Sequence, residues 1–175
     1  MRGREDLVRT LRDCGLLTNP SIERAFAAID LEAFLPEELR CLAFANAPIP
    51  FSTAFRGAVL PSPSALAALL QLMDLQPGLE LGVVGGAAGY PAALLAHAGE
   101  GARISLAEVD ASLRALAKRN LEQAGLADRI VTAGDLTGDP FDRILVLDPA
   151  QRPMSEFGGL LADMGFLVAR SMIPE

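Results

Sequence analysis

The chain has 175 residues, 51% of them hydrophobic, and a formal charge of −7. That length supports one domain with a substantial core, and an acidic balance without any basic block excludes a nucleic-acid backbone as the main partner. No run is long enough to cross a bilayer, and the charged start Met1-Arg2-Gly3-Arg4-Glu5-Asp6 lacks the apolar core of a secretion signal. Cys14 and Cys41 stand isolated in a chain with one His, which argues against a metal site or a disulfide framework and for a reducing cytosol.

Leu7, Val8, Leu11 and Cys14 recur at helical spacing, with Gly15 as the stop. Thr18 or Asn19 caps a second helix that has Pro20 early and Ile22, Ala25, Phe26 and Ile29 on one face. Phe34 and Leu35 are expected to dock on the core, and 37–45 to form another short helix. Prolines 48, 50, 61 and 63 rule out a long helix or central strand over 46–63. That irregular stretch reads equally as a binding lid or as an extended surface wrap. Ser62 or Ser64 caps the next helix, 65–73, whose apolar character nearly all round predicts burial.

From Gln76-Pro77-Gly78 onward the pattern alternates. Strand 79–84 precedes helix 91–97, strand 103–107 precedes helix 111–124, and strands 129–132 and 142–147 follow. A helix over 155–163 leads to a last strand near 166–172. Alternation of this kind predicts an α/β fold, a mostly parallel sheet with helices on both faces behind an N-terminal helical segment. Residues 1–75 would supply helices and a substrate-side loop, and 76–175 the core. Ligands of such sheets sit at the carboxyl ends of the strands, here Val84 to Gly89, Glu108, Gly134-Asp135 and Asp148.

The stretch Gly82-Val83-Val84-Gly85-Gly86-Ala87-Ala88-Gly89-Tyr90-Pro91 reads as strand, tight turn and helix start. Its glycines supply turn conformations and let a ligand approach the backbone, and the helix N-terminus suits a polar or anionic group. Tight packing alone gives the same pattern. Glu108, about twenty residues on at the end of the next strand, is placed as an acid that takes a ribose hydroxyl pair. His97 reads as a cation near a helix C-terminus rather than a base.

Leu7, Val8 and Gly15; Ala25, Phe26, Phe34, Leu35 and Pro36; Ala43, Phe44, Pro48, Ile49 and Pro50; and Pro63 follow one another in a telling order. The order continues with Pro77, Gly78, Gly89, Tyr90 and 92–96; Glu108; Ala117, Asn120 and Leu121; Gly134 and Asp135; and 140–144. In this order and spacing the whole chain resembles the protein-L-isoaspartate O-methyltransferases, a branch of the Rossmann-like class I S-adenosylmethionine (SAM) methyltransferases. The resemblance implies SAM as cofactor. Gly85, Gly86, Ala87, Gly89 and Tyr90 would face its methionine part, Glu108 its ribose, and Asp135 its adenine, with Gly134 giving room. It also implies methylation of the α-carboxylate of isoaspartyl residues in damaged proteins, a cytoplasmic repair reaction on a protein or peptide substrate.

The chain departs from the family pattern at several points. The acid ending the first strand is Val83, and the middle glycine of the turn is Ala87. The substrate-pocket Ser falls on Pro61, leaving Ser62 as the neighbouring candidate. Leu31 and Asn46 replace a usual Arg and a usual acid. The sheet's final antiparallel strands are not found before Glu175, so 166–173 is expected as an apolar edge covered by a self-dimer or another chain. Two readings follow: an active methyltransferase, on isoaspartyl or another acceptor, or a non-catalytic binding or scaffold subunit.

Overall fold

The computed structural model describes residues 3–51, 58–138 and 140–170. Helix α1 (Arg4–Asp13) buries Val8 and Leu11. Gly15, at φ 71°, ends it by letting the Leu16 N–H reach the Leu11 carbonyl at 2.9 Å. Helix α2 (Pro20–Ala28) starts at the expected cap, where the Asn19 side chain accepts from the Ser21 N–H at 2.9 Å. Its face of Ile22, Ala25 and Phe26 is buried. Phe34 and Leu35 dock on the core as expected. They belong to, or follow, a 3-10 turn over Leu31–Phe34, and a second such turn, Glu37–Leu42, stands where the short helix was expected.

Among its described residues the proline-rich stretch holds a two-residue antiparallel ladder, β1 (Ile49–Pro50) against β2 (Val59–Leu60). The choice between lid and wrap turns on 52–57, which lie outside the described residues. Helix α3 (Pro63–Leu72) buries Leu66, Ala67 and Leu70. Contrary to the expectation of burial all round, Leu72 is 63% exposed: one face packs inward and the other meets solvent. Gln71 pins α3 to the α1–α2 link. Its carbonyl accepts from the Thr18 N–H (2.7 Å) and its amide donates to the Leu16 carbonyl (2.9 Å).

Five parallel strands form the main sheet in the order β5-β4-β3-β6-β7. They are β3 (Glu80–Val84), β4 (Arg103–Ala107), β5 (Ile130–Ala133), β6 (Phe141–Val146) and β7 (Leu161–Ala169). Helix α4 (Tyr90–Ala98) links β3 to β4 and α5 (Ala111–Gln123) links β4 to β5. The right-handed rule for such crossovers puts both helices on one face. There the alternate residues Leu81, Val83, Ile104, Leu106, Ile130 and Leu145 join one buried cluster with residues of α1 to α5. The opposite face carries Val84, Ala107, Ile144 and Val146 under Leu136, Phe141 and Phe157.

The sheet is flanked on both faces as expected, with the α-helices on the first. The other is covered by a loop and by 3-10 turns, Met154–Glu156 and Gly158–Leu160, which replace the helix expected over 155–163. Gly158 and Gly159 disfavour an α-helix, and β7 has already begun at Leu161, earlier than expected, to pair with Phe141. A bulge precedes the regular β6–β7 ladder, with Met164 at φ 64° and 92% exposed. β7 stands at a sheet edge as expected, and 171–173 of that edge lie outside the described residues. Among the described residues no helix is long and apolar enough to cross a membrane.

Register fixes where chemistry can happen. Val84 pairs with Ala107 and with Val146, and Ala107 pairs with Ala133. Four strands thus end in one row, which lines up Gly85, Glu108, Gly134 and Leu147. The chain order reverses between β3 and β6, the position where open α/β sheets bind ligands.

Candidate functional site

The turn after β3 is entirely buried. Gly85 has φ +76°, and a Cβ there would lie 2.4 Å from the Asp148 Cβ and 2.8 Å from its backbone nitrogen. A Cβ on Gly86 would lie 2.2 Å from Leu106 Cδ1. At both glycines, then, protein atoms occupy the space that a side chain would need. Gly85 is held by a conformation and a packing demand together, Gly86 by packing. Ala87 (φ 35°) and Ala88 (φ 61°) adopt left-handed backbone despite their methyl groups, and Gly89 follows at φ 92°. Such non-glycine residues store of order 1 kcal/mol or more each and persist where surroundings over-determine them.

Asn120 on α5 is one of those surroundings. It is buried, and its amide donates to the Ala88 carbonyl and to the Phe34 carbonyl, each at 3.0 Å. One side chain thereby ties the strained turn to the N-terminal layer. Tyr90 turns toward that layer, edge-on to Phe34 with ring centroids 5.6 Å apart. Burial, with the charge of Asp30 second, pushes its phenol above the usual range.

Glu108 is the centre of the site. It follows β4 directly and is 2% exposed. Its Oε1 accepts from the Asp110 N–H (3.2 Å) and from the Gln151 amide (3.0 Å). Its Oε2 is buried and has no hydrogen-bond partner among the described residues. Burial first, and the charges of Asp148 and Asp110 last, push the carboxyl from 4.5 up to about 7, against the opposing pull of the two donated hydrogen bonds. An orphaned acceptor in this position costs free energy unless a ligand donor meets it. Asp110 caps α5, accepting from Ser112 N–H (2.9 Å) and Leu113 N–H (3.0 Å). The Arg114 guanidinium reaches back to the Glu108 carbonyl at 2.6 Å.

The loop after β6 folds back over the strand ends. Gln151 donates to Glu108 and to Asp148 Oδ2 (3.1 Å) and accepts from the Val109 N–H (3.3 Å). The next residue, Arg152, pairs with Asp135 at 2.7 Å and with Glu156 at 3.2 Å. Asp135 also accepts from the Leu136 N–H (2.7 Å) and is largely exposed. Glu108, Asp148 and Asp135 therefore share one rim, joined by two residues of one loop. Sequence reading singled out the acids and missed Gln151, Arg152 and Arg114, whose roles exist only once distant segments meet. Ser62 is the N-cap of α3: its hydroxyl accepts from the Ala65 N–H at 3.3 Å, while Asn46 accepts from the Ser64 N–H at 3.0 Å.

The site suits a ribose. A vicinal diol offers two adjacent donors to one carboxylate, and Glu108 holds one oxygen without any. Residues 1–163 match the family model described as Protein-L-isoaspartate(D-aspartate) O-methyltransferase (PCMT). A protein-L-isoaspartate O-methyltransferase of Hyperthermus butylicus is 33% identical over 160 residues, 82% of this chain and 64% of that protein. One of Aeropyrum pernix is 32% identical over 169 residues, 93% of this chain and 64% of that protein. The chain thus spans less than two thirds of the length of these relatives. Among solved structures, a Plasmodium falciparum protein titled as a putative enzyme of this kind in complex with S-adenosyl-L-homocysteine superposes with a TM-score of 0.80. It is 17% identical, and the match covers 98% of this chain and 86% of that one. A further structure titled as a protein-L-isoaspartate O-methyltransferase gives a TM-score of 0.72 at 25% identity, over 82% of this chain and 47% of that one. By the extent of the family match, this chain belongs to the protein-L-isoaspartate(D-aspartate) O-methyltransferase family.

Proposed function

We propose that the chain is a SAM-dependent carboxyl methyltransferase that acts on the α-carboxylate of isoaspartyl residues in proteins. The observation that carries this reading is Glu108: a buried carboxylate at the end of β4 with one orphaned oxygen, where a family cofactor's ribose would supply the missing donors. When bound, SAM supplies a methyl group already activated by its sulfonium. The chain's own residues bind, orient and exclude water. Glu108 holds the ribose, Gly85 to Tyr90 form the wall toward the methionine part, and Asp135 serves the adenine once Arg152 shares it. Asn120 keeps the turn in register.

The acceptor is a carboxylate, ionised at neutral pH, so the reaction requires alignment rather than a general base. Ser62, held as a helix cap, fits a supporting place at the acceptor side better than a role in proton transfer. The non-catalytic alternative draws no support from the named relatives. Pairing of the β7 edge, which has no further strand beside it among the described residues, with a second copy or another chain belongs to the same reading; a monodisperse monomer by light scattering at high concentration would count against it. The activity is tested by transfer of labelled methyl from SAM to two peptides differing only in an isoaspartyl or an aspartyl residue. Base-labile label on the isoaspartyl peptide alone supports the reading, and label on neither overturns it.

A further inference from the structure

We propose that Gln151 is a built-in competitor for the ribose site, a side chain that occupies the nucleoside's hydrogen bonds until the cofactor displaces it. The inference rests on the cofactor reading above and goes beyond it. Three contacts carry it. The Gln151 amide donates one hydrogen to Glu108 Oε1 and the other to Asp148 Oδ2, and its carbonyl accepts from the Val109 N–H. All of that amide's strong polar capacity toward the strand ends is spent on the carboxylate that would bind the ribose and on the groups flanking it.

The geometry is that of a stand-in. A diol needs both oxygens of Glu108. Among the described residues Oε2 has no donor, whereas Oε1 is held by Gln151 and by the Asp110 N–H. Entry of the sugar fills the first and competes for the second. The amide is also placed by its neighbour: Arg152 is fixed between Asp135 and Glu156 and stacks toward the Phe157 ring. The competitor and the ion pair on the adenine-side acid thus sit on consecutive residues of one loop. Displacing one pulls on the other, so the ribose and adenine subsites open together. The apparent affinity of such a site falls by the fraction of molecules in which it is open.

The test is calorimetric titration of the whole chain with S-adenosyl-L-homocysteine, comparing wild type with Q151A and with Q151S, each first checked for cooperative thermal unfolding. Two variants of different polarity guard against the failure of one to fold. Removing the competitor spares the ligand about one net hydrogen bond to a charged group, so both variants should bind roughly tenfold more tightly. The wild-type and variant affinities should also converge as pH falls and Glu108 protonates, a dependence that a purely structural role for Gln151 would not produce. Equal or weaker binding by the variants, with the wild type binding, overturns the competitor while leaving the cofactor reading intact. Absence of binding by all three overturns the cofactor reading and the competitor with it.

Discussion

Replacing Glu108 by Gln separates the stability burden of the site from its function. The folded chain holds the Glu108 proton more tightly than an unfolded chain does, with the carboxyl pushed from 4.5 to about 7 by burial. Between those pH values the folded state binds more protons than the unfolded state. Stability is therefore greatest below about pH 4.5, as far as this group is concerned, and is lost as pH rises toward and through 7. Full conversion of the shift gives about 3 kcal/mol. Relaxation and dielectric response of a real protein interior reduce that figure to about 2 kcal/mol. Glutamine keeps the shape and cannot ionise. Its own NH2 beside the former Oε2 position adds a penalty that is the same at every pH, so the slope is the signal. Urea unfolding of wild type and E108Q at pH 5 and pH 7.5 should show the difference moving by about 2 kcal/mol in favour of E108Q at the higher pH. Other titrating groups cancel in that difference. An unchanged difference at the two pH values would refute the claim that Glu108 is buried at a cost.

Two more expectations follow from the turn it faces. N120A strands the Phe34 and Ala88 carbonyls and should lower stability by about 3 kcal/mol, read from denaturant midpoints; a loss under about 1 kcal/mol would mean that Asn120 does not hold the turn. G85A adds left-handed strain to a Cβ overlap with Asp148 and should destabilise by at least about 3 kcal/mol, with weakened S-adenosyl-L-homocysteine binding because Asp148 must move. A stable, tightly binding G85A would show that the β3–β6 junction can yield.

Much of the fold was legible because local and global signals agree. Asn19 and Pro20 announce a helix that forms, and the alternation of 79–133 gives strands and helices near their observed bounds. The helix expected over 155–163 failed because the apolar spacing of Phe157, Leu160 and Leu161 also serves a 3-10 turn leading into a strand, and two glycines tip the balance. Glu108 stood out by its distance from the glycine turn. Gln151 and Arg152 did not, since their meaning comes from contacts 43 and 17 residues away in sequence. The glycine turn was legible as a place of tight approach, and at Gly85 and Gly86 the atoms nearest an added Cβ belong to Asp148 and Leu106.

The most direct trial of the account is titration of wild type and E108A with S-adenosyl-L-homocysteine. Binding by the wild type that weakens at least roughly tenfold in E108A is the predicted result, since the alanine removes the charged acceptor of the ribose hydroxyls. Equal affinity in the two proteins would contradict the account.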